Sequence, residues 1–233
     1  MDYIQLIILQ FIAHLLTDFT FQPDKKAREK NENGFKSKFL KWHILIAFGL
    51  SFLLSFQLTF VFAAVIIALT HWAVDGIKIY ILNSKILSKY AFFIDQFLHL
   101  FFIVTIVFLF DKYFDLNPIF NISFNTKYLL IIAGVIFCTK PANIIVKEIF
   151  SVFEIFITEK DDLPNAGKLI GILERLLVVT FILLNQFEAV GFLIASKSIL
   201  RYKEDETLKT EYVLIGTMLS FGLAIAVGII INL

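Results

Sequence analysis

Runs of about 20 mainly apolar residues, the length that crosses a bilayer as a helix, recur along this chain and constrain its fold more than any other feature. The 233-residue sequence has 58% hydrophobic and 18% charged residues, and its mean hydropathy is +0.81. These values do not fit a soluble domain. We therefore predict an integral membrane protein with an all-α fold, a polytopic transmembrane helical bundle.

The apolar runs predict about six to eight transmembrane spans. Helices are expected near residues 3–22, 41–58, 60–82, 91–110, 128–150, 168–186, 187–202 and 212–232. The first run has neither the basic start nor the small-residue cleavage site of a signal peptide, so we interpret it as a retained helix. We divide the chain into residues 1–110, four helices that carry all the histidines, and residues 111–233, further transmembrane helices of the same membrane domain.

The distribution of lysine and arginine predicts the orientation of the chain. Residues 22–41 contain seven basic residues, whereas residues 55–60 contain no charge. Because short cytoplasmic loops are enriched in basic residues, we expect the first loop to be cytoplasmic and both termini external. The predicted location is the bacterial inner (cytoplasmic) membrane.

Charge and cysteine content exclude several other classes of function. The formal net charge is +1, which gives no support to a nucleic-acid partner. Cys138 is the only cysteine, so the chain has neither a disulfide framework nor a CxxC metal site. The oligomeric state is not indicated by the sequence.

Three of the four histidines lie four residues from an aspartate. The pairs occur in "HLLTD", "HWAVD" and "DQFLH", and the fourth histidine follows a tryptophan in "KWHILI". Residues four apart share one face of a helix, so each pair presents an imidazole and a carboxylate to the same point. In the predicted topology the seven side chains lie in the cytoplasmic leaflet. They are His14, Asp18, His43, His71, Asp75, Asp95 and His99.

This pattern predicts a divalent metal site. Imidazole and carboxylate ligands favour zinc, with manganese or iron as alternatives. Seven ligands exceed one tetrahedral shell, so either two ions bind or some aspartates orient the histidines around one ion. Asp18, Asp75 and Asp95 are also candidate catalytic residues, because a non-ligating aspartate could act as a general base. The competing interpretation is that each pair only neutralises its own charge within the membrane.

Further polar residues are candidates for binding a substrate. Lys78 could contact a phosphate, or it could be an interfacial lysine whose ammonium reaches water. Arg175 could bind a phosphate or form a buried pair with its neighbour Glu174. Gln22 and Gln96 could form hydrogen bonds around the site, or they could be ordinary interfacial residues.

The segments "HLLTDFTFQ", "KWHILI", "LTHWAVDGIK", "IDQFLH", "GKLIGILER" and "ASKSILRY" together resemble a bacterial membrane-protein family known as domain of unknown function 3307. That family implies no established activity. The paired histidines and aspartates are more loosely similar to the LexA-regulated inner-membrane metal-dependent hydrolases. Their spacing is also similar to that of the zinc-binding helices in the phospholipase C/P1 nuclease class, an analogy that covers the HxxxD spacing alone.

We expect a membrane-embedded, metal-dependent hydrolase that acts near the cytoplasmic interface. The metal would lower the pKa of a bound water, and the substrate would be a membrane lipid or a small amphipathic molecule, including phosphoesters. One alternative is a metal or proton transporter, although the outer halves of the first four helices carry few polar groups. A second alternative is a non-catalytic membrane module that holds a structural metal in closed coordination.

Overall fold

The computed structural model describes residues 1–119, 125–156, 166–201 and 207–233. The described residues form helices and no strands, which confirms the all-α prediction. The α-helices are α1 (Tyr3–Leu15), α2 (Asp24–Asn33), α3 (Lys38–Ser55), α4 (Val61–Leu82), α5 (Ala91–Tyr113), α6 (Thr126–Phe137), α7 (Lys140–Val152), α8 (Ala166–Leu183), α9 (Phe187–Arg201) and α10 (Thr207–Asn232). The last residue of the predicted helix 187–202 lies outside the described residues.

Five helical segments of the described chain are long and apolar enough to cross a membrane. They are Tyr3–Thr20, Lys38–Ser55, Val61–Leu82, Ser88–Tyr113 and Thr210–Asn232. Helices α6 and α7 form a sixth span if the pair, which is bent by 50°, crosses as one broken helix. The chain is therefore a multi-span membrane protein, and its described residues contain five or six candidate spans, against a prediction of six to eight. Helices α8 and α9 match the predicted positions but are not among the candidate spans.

The structure divides into two compact units, residues 1–133 and residues 134–233. In the first unit, α1 and α4 each pack against both α3 and α5, so the four long helices form a ring in the order α1, α3, α4, α5. Asp2 caps α1, and Gln5 completes the capping box. Of the residues in Tyr3–Thr20, 67% are buried, against 28–33% in the other three spans of this unit. Helix α1 is therefore a central element of the bundle rather than a peripheral anchor.

One end of this four-helix bundle is filled by apolar side chains. Its core includes Leu6, Phe60, Ala64, Val107 and Phe110, each at most 3% exposed. The opposite end holds the histidines and aspartates. Apolar burial thus stabilises one half of the bundle, and the polar cluster occupies the other half.

Two irregular elements shape the polar end of the bundle. Residues Leu16–Thr20 form a π-helical turn, in which the Phe21 amide donates to the carbonyl of Leu16 at 2.8 Å. Such turns are frequent at functional sites because the extra residue changes where side chains point. Helix α2, which the apolar pattern did not predict, then packs against α4 and α3.

The junction between α2 and α3 fits closely against α4. Gly34 adopts a φ of +52°, and a Cβ atom added there would lie 3.0 Å from the carbonyl oxygen of Gly76. A Cβ atom added to Gly76 would lie 2.0 Å from the ring of Phe35. The α2–α3 junction therefore approaches α4 so closely that a side chain at either glycine would force the backbone or Phe35 to shift.

Candidate metal centre

The seven predicted ligand residues converge at one end of the first unit. Helix α1 with its π turn supplies His14 and Asp18, α3 supplies His43, α4 supplies His71 and Asp75, and α5 supplies Asp95 and His99. Each of these residues is at most 7% exposed. The convergence follows from the alternating helix directions, since α1 and α4 end where α3 and α5 begin.

Four of these side chains bring one ligand atom each to a common region, which we call the four-ligand cage: His43 Nε2, His71 Nε2, Asp18 Oδ1 and Asp75 Oδ2. The two nitrogens are 3.0 Å apart. Asp18 Oδ1 lies 3.3 Å from His43 Nε2 and 3.0 Å from His71 Nε2. Asp75 Oδ2 lies 3.3 Å and 3.6 Å from the same two nitrogens. Ligands about 2.0–2.2 Å from a tetrahedral zinc are about 3.3–3.6 Å apart, and these five distances equal that spacing or fall slightly below it.

Hydrogen bonds do not account for the two carboxylate atoms of the cage. Asp18 Oδ1 and Asp75 Oδ2 are buried and make no hydrogen bond of acceptable geometry within the described parts of the chain. Short distances without hydrogen-bond directionality are typical of ligands that point at one shared cation. A buried carboxylate oxygen that accepts no hydrogen bond is costly, so this arrangement favours a cation close to both oxygens, either a metal ion or a protonated imidazole.

Two lysines neutralise two of the aspartates on the side away from the histidines. Lys30 Nζ donates to Asp75 Oδ1 at 2.6 Å, and both side chains are nearly fully buried, at 2% and 1% exposure. Lys78 Nζ donates to Asp95 Oδ2 at 2.9 Å. Lys78 is therefore an ion-pair partner of the cluster, and its predicted contact with a substrate phosphate stays a prediction.

Sequence reasoning missed Lys30, which it treated only as one of seven basic residues in a cytoplasmic loop. No spacing links Lys30 to a histidine or aspartate, since its partner lies 45 residues away. The contact depends on α2 folding back onto α4. The sequence did not indicate that Lys30 would be buried, because α2 is otherwise polar.

The remaining ligand-type residues surround the cage. His99 Nδ1 donates to the carbonyl of Asp95 at 2.9 Å, which leaves His99 Nε2 buried and without a hydrogen-bond partner in the described structure. A backbone contact of this kind fixes the tautomer in which Nε2 carries the lone pair. Asp18, Asp95 and His99 also provide ligand atoms within 4.8 Å of one another.

Gln96 connects three members of the cluster. Its Oε1 accepts from His14 Nε2 at 3.1 Å, and its Nε2 donates to Asp18 at 3.3 Å and to Asp95 at 3.1 Å. Gln96 therefore orients the side chains of the site rather than facing lipid. Gln22, in contrast, donates to the backbone carbonyl of Asp18 at 3.1 Å and so stabilises the turn that presents this aspartate.

The net charge of the cluster bears on how many divalent ions its own groups could compensate. Three carboxylates against two ammonium groups leave a net charge of −1 when the histidines are neutral. One divalent ion would change this to +1, and a hydroxide bound with that ion would make the cluster neutral. Two divalent ions would leave a large uncompensated positive charge in a buried site. Charge balance therefore favours one ion in the four-ligand cage.

The two predicted substrate-binding residues of the second unit make contacts within that unit. Arg175 is 2% exposed and donates to the carbonyls of Cys138 and Thr139, to Asn143 Oδ1 and to Ser220 Oγ. Glu174 accepts from Lys197 Nζ at 2.6 Å instead of pairing with Arg175.

These contacts place the Arg175 guanidinium at the break between α6 and α7, where it caps carbonyl groups that the bend leaves unpaired. The roles of Arg175 and Glu174 in substrate binding stay predictions.

The model of a family described as a protein of unknown function, DUF3307, matches residues 6–131 of this chain. This match covers more than half of the sequence. The chain belongs to the DUF3307 family. All seven residues of the His/Asp cluster, and both lysines that neutralise it, lie inside the region that matches DUF3307. No curated protein and no solved structure matches the chain.

Proposed function

We propose that this DUF3307 protein is a membrane-embedded, metal-dependent hydrolase. The observation that carries the proposal is the four-ligand cage, in which two imidazole nitrogens lie 3.0 Å apart and each of two carboxylate oxygens lies 3.0–3.6 Å from both nitrogens. Zinc is the ion that such ligands favour, and manganese and iron are the alternatives. A bound ion would supply Lewis-acid activation of a water molecule.

The surplus of ligand-type residues favours catalysis over a purely structural metal. A structural site needs four ligands and no more. Here His14, Asp95 and His99 lie beside the cage, and each has a buried nitrogen or oxygen without a hydrogen-bond partner among the described residues. Such groups are suited to accept a proton from the attacking water or to return one to the leaving group. His99 is the stronger candidate, because its tautomer is fixed by the carbonyl of Asp95.

The depth of the site favours an amphipathic substrate. The cage lies inside a helical bundle that crosses the membrane, at the end where the basic segment 22–41 joins the bundle. A lipid, or another molecule with a polar group and an apolar tail, can bring a scissile bond to this depth. Lys78 is 12% exposed at its side chain, which makes it the cation of the site best placed to contact an anionic phosphoester. We assign this end to the cytoplasmic side of the bacterial inner membrane.

The interior of the bundle argues against a metal or proton transporter. A cavity of about 10 Å³, enough for one water molecule, lies beside His14 and His71 and reaches Gln10 and Ser51. Ser51 Oγ donates to Gln10 Oε1 at 2.6 Å, which closes the polar region. Beyond this pair lies the apolar core that contains Leu6 and Phe60. A conducting path would have to continue through that core.

The closed burial of the cage supports a second candidate, a non-catalytic module with a structural metal. Metal analysis and lipid-hydrolysis assays on detergent-solubilised protein separate the two. We expect His71→Ala to lose both bound metal and hydrolysis of phosphatidylglycerol or phosphatidic acid in mixed micelles. We expect His99→Ala to keep the metal and lose at least about 100-fold in rate.

The outcomes of this experiment distinguish a hydrolase from a structural module and test the cage itself. Wild-type protein that binds one divalent ion and hydrolyses neither phosphoester nor carboxylic-ester lipids supports the structural module. A His71→Ala variant that retains its metal contradicts the cage itself. Asp111→Asn is the matched control, because Asp111 lies on α5 like His99 and is exposed at the other end of the helix.

A further inference from the structure

We propose that Lys30 is a positioning residue of the metal centre, an internal cation that restricts Asp75 to one ligand oxygen and limits the affinity of the cage for divalent ions. This inference rests on the proposed metal centre and names a device that regulates it. The inference is drawn from the two oxygens of Asp75, because Oδ1 contacts Lys30 and Oδ2 faces the histidines of the cage.

The Asp75 carboxylate is divided between the lysine and the cage. Oδ1 accepts from Lys30 Nζ at 2.6 Å, whereas Oδ2 lies 3.3 Å from His43 Nε2 and has no hydrogen-bond partner within the described chain. An ammonium group at this distance forms a charge-assisted hydrogen bond, which fixes the orientation of the carboxylate. Only one oxygen then remains for a metal, and coordination through both oxygens is excluded while the ion pair holds.

The protein holds Lys30 in place through the surrounding backbone. Glu29, the preceding residue, accepts hydrogen bonds from Ser37 Oγ at 2.8 Å and from the Lys38 amide at 3.2 Å. These contacts tie α2 to the start of α3. The Phe35 ring lies directly over Gly76, the residue that follows Asp75. Helix α2 is thus fixed against α4 at the point where Lys30 reaches the carboxylate.

Lys30 differs from the other lysines of α2 because its ammonium group is buried against Asp75. It is the buried residue of α2, and burying an ammonium group is costly unless a specific charge compensates it. Lys26 lies one turn earlier in the same helix and is exposed. A positive charge at position 30 opposes a divalent ion bound through the other oxygen of the same carboxylate. Removing that charge therefore raises metal affinity, the opposite of what loss of a structural support would do.

The test compares Lys30→Met with Lys26→Met in the full-length, detergent-solubilised protein. Methionine keeps the length of the side chain and removes its charge. Titration with Zn²⁺, Mn²⁺ and Co²⁺ is expected to show Lys30→Met binding each ion at least about tenfold more tightly than wild type. The largest gain is expected for Mn²⁺, which accepts two oxygens from one carboxylate more readily than zinc does. Lys26→Met is expected to bind like wild type, and Lys30→Arg to stay within about threefold of it.

The visible absorption of bound Co²⁺ reports the coordination directly. Wild type is expected to give the intense bands of four-coordinate Co²⁺, and Lys30→Met bands that are about threefold weaker as the coordination number rises. Unchanged or weaker metal affinity in Lys30→Met, with the helical content and monodispersity of wild type, overturns the role of Lys30 while the metal centre stands. Wild-type protein that binds none of the three ions instead overturns the metal centre. Should Lys30→Met not fold, Lys30→Leu, which also removes both the charge and the donor, takes its place with the same expectations.

Discussion

The Nε2 atoms of His43 and His71 lie 3.0 Å apart on two different helices, although the residues are separated by 28 positions in the chain. Neither imidazole reaches this position through local structure alone. His43 follows the start of α3, which Ser37 caps by accepting from the Leu40 amide, and His71 lies midway along α4. Packing of α3 against α4 therefore builds the histidine half of the cage, and α1 adds Asp18 to it.

Asp18→Asn is expected to weaken metal binding more than any other single carboxylate change. Asp18 Oδ1 contacts both cage nitrogens, and no lysine neutralises this carboxylate in the described structure. The variant removes both a ligand and the net negative charge of the cluster, so we expect a loss of at least about 100-fold in zinc affinity. Competition with a chromophoric chelator measures it.

Asp95→Asn is the matched control for this prediction. Its carboxylate is already neutralised by Lys78 and lies outside the four-ligand cage. We expect a loss of about tenfold or less. Equal losses in the two variants would contradict the assignment of Asp18 to the cage and Asp95 to its surroundings.

Gly76→Ala is expected to loosen α2 from the bundle. The added Cβ atom would lie 2.0 Å from the Phe35 ring, which must shift away, at a cost of about 1–3 kcal/mol. Limited trypsin digestion at the lysines of α2, together with thermal unfolding, measures the effect. Gly49→Ala, on α3, has no atom within 4 Å of its added Cβ and should leave both readouts unchanged or slightly improved. Equal trypsin sensitivity of the two variants would show that Phe35 does not hold α2 in place.

Arg175→Gln is expected to destabilise the second unit without altering the metal content. The guanidinium makes four hydrogen bonds, including two to the carbonyls of Cys138 and Thr139 at the bend between α6 and α7. Glutamine cannot satisfy all these acceptors, so we expect a loss of about 2–4 kcal/mol in unfolding free energy. Lys197→Gln, which breaks a part-exposed pair with Glu174, should cost about 1 kcal/mol or less. Loss of metal in Arg175→Gln would contradict a purely structural role.

Cysteine labelling tests the orientation of the spans. In a Cys138→Ser background, the new cysteine of Lys26→Cys lies on α2, and that of Leu58→Cys lies in the uncharged hairpin between α3 and α4, where Leu58 is 67% exposed. A membrane-impermeant maleimide added to intact cells should label position 58 and not position 26, because the basic segment is assigned to the cytoplasm. The reverse labelling pattern would overturn the assigned topology and place the cluster in the outer leaflet.

The residues of the His/Asp cluster were predictable because the spacing within each pair is local information in the sequence. Spacing of four residues places His71 and Asp75 on one helical face, and alternating helix directions bring the pairs to one depth. What surrounds the cage was not predictable in this way. The π turn that presents Asp18 depends on a departure from regular α-helical hydrogen bonding, which no spacing rule encodes. The burial of Lys30 depends on a polar helix folding back onto α4, a tertiary contact that is not visible in a loop rich in lysine.

The predicted spans also show what apolar length alone can and cannot predict. Apolar length predicted α8 and α9 as spans, and both are helical. Helix α8, however, includes Lys168, Glu174 and Arg175, and α9 has 15 residues, so neither meets the requirement of about 20 mainly apolar residues. Hydropathy therefore located both helices, and their crossing of the membrane stays a prediction.

The proposed function depends on one divalent metal ion bound in the four-ligand cage. Elemental analysis of purified wild-type protein and of the His43→Ala variant tests it most directly, since His43 is 0% exposed and contributes a nitrogen to the cage. We expect about one zinc, manganese or iron ion per wild-type chain and at most about a tenth of that in the variant. Wild-type protein that remains free of metal after incubation with each of these ions, while retaining its helical content, would contradict the metal centre.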